Sequence, residues 1–142
     1  MVVKEHTLYK QIAQYLQLQY PNTIYRFDLA ADMKLTAGQA SRHKTLHPHR
    51  GYPDLFLAEP RTVTIRKNKY YYAGLFIELK REGTRILKKD GTLVADAHIR
   101  EQHDLLCELE RRGYKACFAV GFDQAKQIID DYLGKRHEEV EF

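Results

Sequence analysis

Asp54 follows Gly51-Tyr52-Pro53, and Glu78-Leu79-Lys80 follows it 24 residues later. Glycine and proline fix a turn, so Asp54 is delivered to the mouth of the strand that begins there. Glu78-Leu79-Lys80 closes the longest β-forming stretch of the chain, Tyr70 to Lys80. Side chains alternate along a strand, which puts Glu78 and Lys80 on one face and Leu79 in the core. The apolar run Leu75-Phe76-Ile77 marks this strand as central, where an acid and a base are expensive to bury without partners. Two carboxylates are hard oxygen donors of the kind that hold Mg²⁺ or Mn²⁺, and the Leu79 carbonyl adds a third donor at the same point. Such an ion lowers the pKa of a bound water and stabilises charge building on a phosphate. Lys80 can orient that water, help deprotonate it and neutralise the phosphorane. The set reads as a centre for in-line phosphodiester hydrolysis. Pro-Asp alone is common in turns, and Glu-x-Lys on an edge strand is an ordinary ion pair. The order and spacing of the two carry the reading.

Positioning these residues requires a sheet and its supports. Leu8, Ile12, Tyr15, Leu16 and Gln19 recur at helical spacing and predict a helix from Lys4 to Tyr20, stopped by Pro21-Asn22. Thr23 to Leu29 alternates and predicts a strand. Thr36 predicts the cap of a short helix from Ala37 to Leu46, followed by a loop from His47 to Pro53. Strands are expected at Asp54–Ala58, Thr62–Arg66 and Tyr70–Lys80, with a turn at Lys67-Asn68-Lys69. After a basic excursion from Arg81 to Val94, turning at Asp90-Gly91, come a helix at Asp96–Arg112 closed by Gly113, a strand at Lys115–Val120 and a helix at Phe122–Leu133. The expected class is α/β, a central mixed sheet flanked by helices. The 142 residues read as one domain over 1–134 and a charged tail over 135–142.

Composition narrows the function. With 44% apolar and 30% charged residues the chain is globular. Two cysteines exclude a disulfide scaffold and a four-cysteine zinc site, and both read as buried thiols. No apolar run approaches the ~18 residues of a membrane span, and the N-terminus is not a secretory signal, so an intracellular location is expected. The net charge of +4 is unevenly placed. Lys34–Arg50 holds four bases and no acids; Arg61–Asp90 holds nine bases against three acids; Glu101–Phe142 holds six against ten. One polyanion-binding face is implied. Arg42, Lys44, Arg50, Arg81, Arg85, Lys88 and Lys89 are its candidate contacts to a DNA backbone.

The strings Gly51-Tyr52-Pro53-Asp54-Leu55 and Ile77-Glu78-Leu79-Lys80-Arg81, with the helix Glu101 to Leu106 ending at Arg112-Gly113-Tyr114, resemble the VRR-NUC (virus-type replication-repair nuclease) domain of the PD-(D/E)xK nuclease superfamily. The resemblance runs from Glu5 to Leu133. It implies a restriction-endonuclease-like core, αβββαβ, with a C-terminal helix. It implies that Gln102 lies beside the site and that Glu5, on the first helix, completes the metal site. It implies a DNA endonuclease acting on branched substrates, such as a Holliday-junction resolvase or a flap nuclease. A four-way junction needs two symmetric cuts, so a homodimer is expected.

Two other readings stay open. A non-catalytic DNA-binding module would keep the basic stretches and use the acidic cluster structurally. An RNA-directed nuclease would show the same residues. His43, His47 and His49 read as phosphate contacts or a solvated loop, since zinc would need a further ligand. Tyr70, Tyr71 and Tyr72 read as packing.

Overall fold

The computed structural model describes residues 5–28 and 33–134, with side chains from residue 7 onward. Glu5 therefore contributes only backbone, at the start of the first helix, and its expected metal role lies outside the described residues. The tail at 135–142 lies outside them too.

The elements run α1 (Glu5–Gln19), β1 (Tyr25–Phe27), α2 (Ala37–Leu46), β2 (Leu55–Leu57), β3 (Arg61–Ile65), β4 (Asn68–Tyr72), β5 (Leu75–Lys80), α3 (Ala97–Arg111), β6 (Lys115–Val120) and α4 (Gly121–Leu133). Among the described residues, one sheet has the order β1-β2-β5-β6, and β3 pairs with β4 in a separate hairpin. The first three strands of the main sheet are antiparallel, while β5 and β6 are parallel through the α3 crossover. The expected αβββαβ core is thus α1-β1-β2-β5-α3-β6, a mixed sheet with helices on both faces and α4 appended. The strand carrying Glu78 is central, as its apolar run demanded.

The two faces of the sheet are unequal. Leu55, Leu57, Leu75, Ile77, Leu79 and Ala119 pack against Leu8, Ile12 and Leu16 of α1 and Ala125, Ile129 and Leu133 of α4. This is the main core. On the opposite face Phe76, Ala116 and Leu106 of α3 form a smaller cluster, with Phe56, Tyr114 and Phe118 against it. Alternation along β5 gives Leu79 to the large core and Phe76, Glu78 and Lys80 to the face under α3. α1 is fastened to α4 by Asp130, which accepts from the hydroxyls of Tyr15 and Tyr20 and from Lys126. Burial works to raise the Asp130 carboxyl, but these hydrogen bonds outweigh it and hold it below the ordinary aspartate value. The stabilisation is complete above the unfolded pKa and fades as pH falls through the lower folded one. Asp130→Asn is therefore expected to flatten the acid limb of stability, measured as urea midpoints from neutral pH to below about pH 4.

One expected strand is two. Tyr70–Lys80 breaks at Ala73-Gly74, because β4 belongs to the hairpin and β5 to the main sheet. Gly74 lets the chain turn against β2: a Cβ there would lie 2.7 Å from the Phe56 ring and 2.9 Å from the Leu57 carbonyl oxygen. Gly74→Ala is expected to lower the unfolding free energy by about 1–3 kcal/mol, seen as a lower urea midpoint at unchanged slope. The hairpin turn is Arg66-Lys67 rather than Lys67-Asn68-Lys69. Both residues have positive φ, 48° and 70°, a two-residue turn that normally recruits Asn or Gly. Tyr70 and Tyr71 are exposed, against the expectation of packing; Tyr72 alone turns inward, toward Tyr132. Cys107 and Cys117 are free and only part-buried by surface area, although burial pushes the Cys117 thiol up to about 11.

Candidate active site

β2 and β5 converge at their site ends. The pairing Leu55↔Ile77, carried one position further, sets Asp54 across from Glu78, on the same face. The Asp54 carboxylate does not stand free: its Oδ2 accepts the Leu79 N–H at 2.8 Å. Asp54 thus reaches the backbone between Glu78 and Lys80. The N–H and C=O of one strand residue point to the same edge, so the Leu79 carbonyl is directed to the side where Asp54 stands. Gly51 turns the chain into this approach with φ 78°, a left-handed conformation that favours glycine.

Asp54 and Glu78 are 5% and 4% exposed, unusual for carboxylates. Lys80 Nζ lies 3.9 Å from Glu78 Oε1, with its side chain 12% exposed. Gln102 comes down from α3 and donates to the same Oε1 at 2.9 Å. Its Nε2 also meets the His98 ring at 3.2 Å, one helical turn earlier. The Glu78 bond sets the amide orientation, since a carboxylate oxygen takes the NH₂ group and not the amide oxygen. Gln102 Oε1 is buried with no hydrogen-bond partner among the described residues. Asp96 caps α3, accepting from the His98 and Ile99 N–H groups at 2.9 and 3.1 Å. The Ile99 bond, helped by His98 and the charge of Lys80, holds the Asp96 carboxyl below its usual value.

Asp54, Glu78, Lys80 and Gln102 are therefore brought together, with the Leu79 carbonyl beside them. Among the described residues no three His, Cys, Asp or Glu side chains stand close enough to enclose a metal ion alone. The donors on offer are two carboxylates, a strand carbonyl and an uncommitted amide oxygen, all hard oxygen ligands.

The basic candidates divide. Arg50 is close, reaching Glu101 of α3 at 3.7 Å. Arg81 follows Lys80 directly, and Arg85, Lys88 and Lys89 are exposed on the segment after it. Arg42 and Lys44 are exposed on α2, which buries none of its side chains. The rings of His43 and His47 lie 4.4 Å apart, at the end of the same helix.

Sequence reading missed three neighbours. Asp28 donates its N–H to the Asp54 carbonyl at 2.7 Å, so the ladder continues to a row Asp28, Asp54, Glu78 across three strands. An acid closing an alternating strand was the available signal. Tyr52, half-exposed, sets its ring edge-on to Phe76 at 5.7 Å; burial first, and then the charge of Asp28, raise its hydroxyl pKa. His98 gave no signal beyond lying four residues before Gln102.

No family model matches the sequence, and no curated protein matches it. A solved structure described as a VRR_NUC domain protein aligns with 94% of this chain and 90% of its own length, at a TM-score of 0.61 and 20% identity. The chain has the fold of a VRR-NUC domain.

Proposed function

We propose that this chain is a metal-dependent DNA endonuclease, and that Asp54, Glu78 and the Leu79 carbonyl hold Mg²⁺ or Mn²⁺. One observation carries the reading: a buried carboxylate from one strand hydrogen-bonds the backbone between the buried acid and the lysine of the next. The donor set fits such an ion, since every available group is a hard oxygen and Gln102 Oε1 lacks a partner among the described residues. When bound, the ion supplies an acidified water and charge stabilisation at phosphorus. Lys80 orients that water and screens the phosphate. Gln102 holds the Glu78 carboxylate in place, and Asp54 stays fixed by the Leu79 N–H.

The substrate is DNA, branched as in a four-way junction or flap. Arg50, Arg81, Arg85, Lys88 and Lys89 take the backbone around the site, and Arg42 and Lys44 extend the contact along α2. A two-fold homodimer would deliver the paired cuts a junction requires. The test is a panel of labelled junction, flap and linear duplex with Mg²⁺ or Mn²⁺, run beside a measured molecular mass. Divalent-dependent cutting of branched DNA in preference to linear duplex is expected. Salt-sensitive binding without cutting under either ion contradicts the reading and leaves a non-catalytic DNA-binding module.

A further inference from the structure

Beside the acidic residues, on the same face of the sheet, lies a cleft of about 910 Å³. Its floor is Phe118 and Val120 of β6, which are the register partners of Glu78 and Lys80. Neighbouring strands lie only about 4.8 Å apart, so the cleft opens one strand away from the acid–lysine pair. Its outer wall is the segment after β5, through Ile86, Leu87 and Leu93. That wall is built rather than loose. Leu87 and Leu93 form a bridge, the Lys88 and Val94 N–H groups bond the Thr92 and Ile86 carbonyls at 2.7 and 3.0 Å, and Asp90 ties the turn through Thr92.

Three features narrow the occupant. The lining is largely apolar, with one aromatic ring. It carries a few hydrogen-bonding groups: Thr84, His103, Thr92, whose hydroxyl donates to Asp90, and Gln124, whose Oε1 is already taken by the Val120 N–H at 2.6 Å. The same segment carries exposed Arg85, Lys88 and Lys89, which with Arg81 outnumber its exposed acids Glu82 and Asp90. An apolar slot inside a cationic rim complements a ligand that is flat and apolar but hangs from an anionic chain. A nucleobase meets that description only when unpaired, because in a duplex its faces are stacked. The volume lies within the roughly 300–1,000 Å³ of small-molecule sites.

We propose that this cleft receives one unpaired nucleobase of DNA, a nucleotide or two from the phosphate to be cut. The inference rests on the nuclease reading and narrows its substrates to DNA that offers an unpaired base beside the scissile bond. Phe118 supplies the stacking surface, while Arg85, Lys88 and Lys89 hold the flanking phosphates.

The test reads binding, not cutting. Asp54→Asn protein is titrated onto a flap carrying 2-aminopurine at its first unpaired position, and onto linear duplex carrying it paired. Emission should change on the flap alone, with about tenfold tighter binding than to duplex. Phe118→Ala removes the ring, and Thr84→Trp puts bulk into the cleft from the loop that walls it. Either should abolish the emission change and the preference while sparing duplex affinity. If Phe118→Ala fails to fold, Thr84→Trp decides. Equal affinities with unchanged emission overturn the proposal. So does a Thr84→Trp protein that changes molecular mass while the emission response persists, which would assign the cleft to a second copy of the chain. Flap cutting by the wild type without the emission response sinks the pocket alone; the response without divalent-dependent cutting sinks the nuclease reading and leaves the pocket standing.

Discussion

Asp54→Asn is expected to yield a folded protein whose DNA cleavage is slower by at least about a thousandfold. The asparagine carbonyl can still accept the Leu79 N–H that Asp54 Oδ2 takes at 2.8 Å, so the junction of β2 and β5 is kept. What disappears is the charge, and with it a donor for a divalent ion. Asp54→Ala should lose activity as completely and also stability. It leaves a buried Leu79 N–H without its acceptor, worth about 1–3 kcal/mol. Urea unfolding of the two variants separates the roles: the asparagine protein should stay near the wild-type midpoint, and the alanine protein should fall below it. Wild-type cleavage by Asp54→Asn would remove the carboxylate from the chemistry.

Lys80→Met is the second. Methionine keeps much of the length of the buried stem and deletes the ammonium 3.9 Å from Glu78 Oε1. With Lys80 as the group proposed to orient the attacking water, its loss should lower the rate by about 10²–10⁴-fold. Glu78 is then left beside Gln102 without the ammonium, and breaking a buried pair destabilises by about 3–5 kcal/mol, an upper figure here because Gln102 stays. Unlike Asp54→Asn, this variant retains the carboxylates. Mn²⁺ should still raise its melting temperature, through preferential binding to the folded state. A Lys80→Met protein that cuts at the wild-type rate would reduce the lysine to a structural partner.

Much of the fold and of the site is legible in the amino-acid sequence. Asp54, Glu78 and Lys80 stand out because charged residues border apolar β-forming runs, where burial needs a reason. Thr36 announces α2, and its capping box with Gln39 is present. Gly113 ends α3 with positive φ, as a residue without Cβ can. The break at Gly74 is not legible, because it follows from a close approach to Phe56 and Leu57, which are distant in sequence. Asp28 shows in the sequence only as an acid closing an alternating strand; its place beside Asp54 comes from the register of β1 on β2, a tertiary fact. Gln102 is reached only through family resemblance. It sits on the buried stripe of α3 with Ile99 and Leu106, a polar residue where helical spacing asks for an apolar one. Tyr70 and Tyr71 mislead because β-propensity does not distinguish a core strand from an exposed hairpin.

The most direct measurement is calorimetric titration of Mn²⁺ into the wild type, Asp54→Asn and Glu78→Gln, with DNA cleavage followed in parallel. Saturable binding by the wild type, lost in both variants together with cutting, is the result predicted. Equal Mn²⁺ binding by all three proteins, or cleavage that continues in excess EDTA, would contradict it.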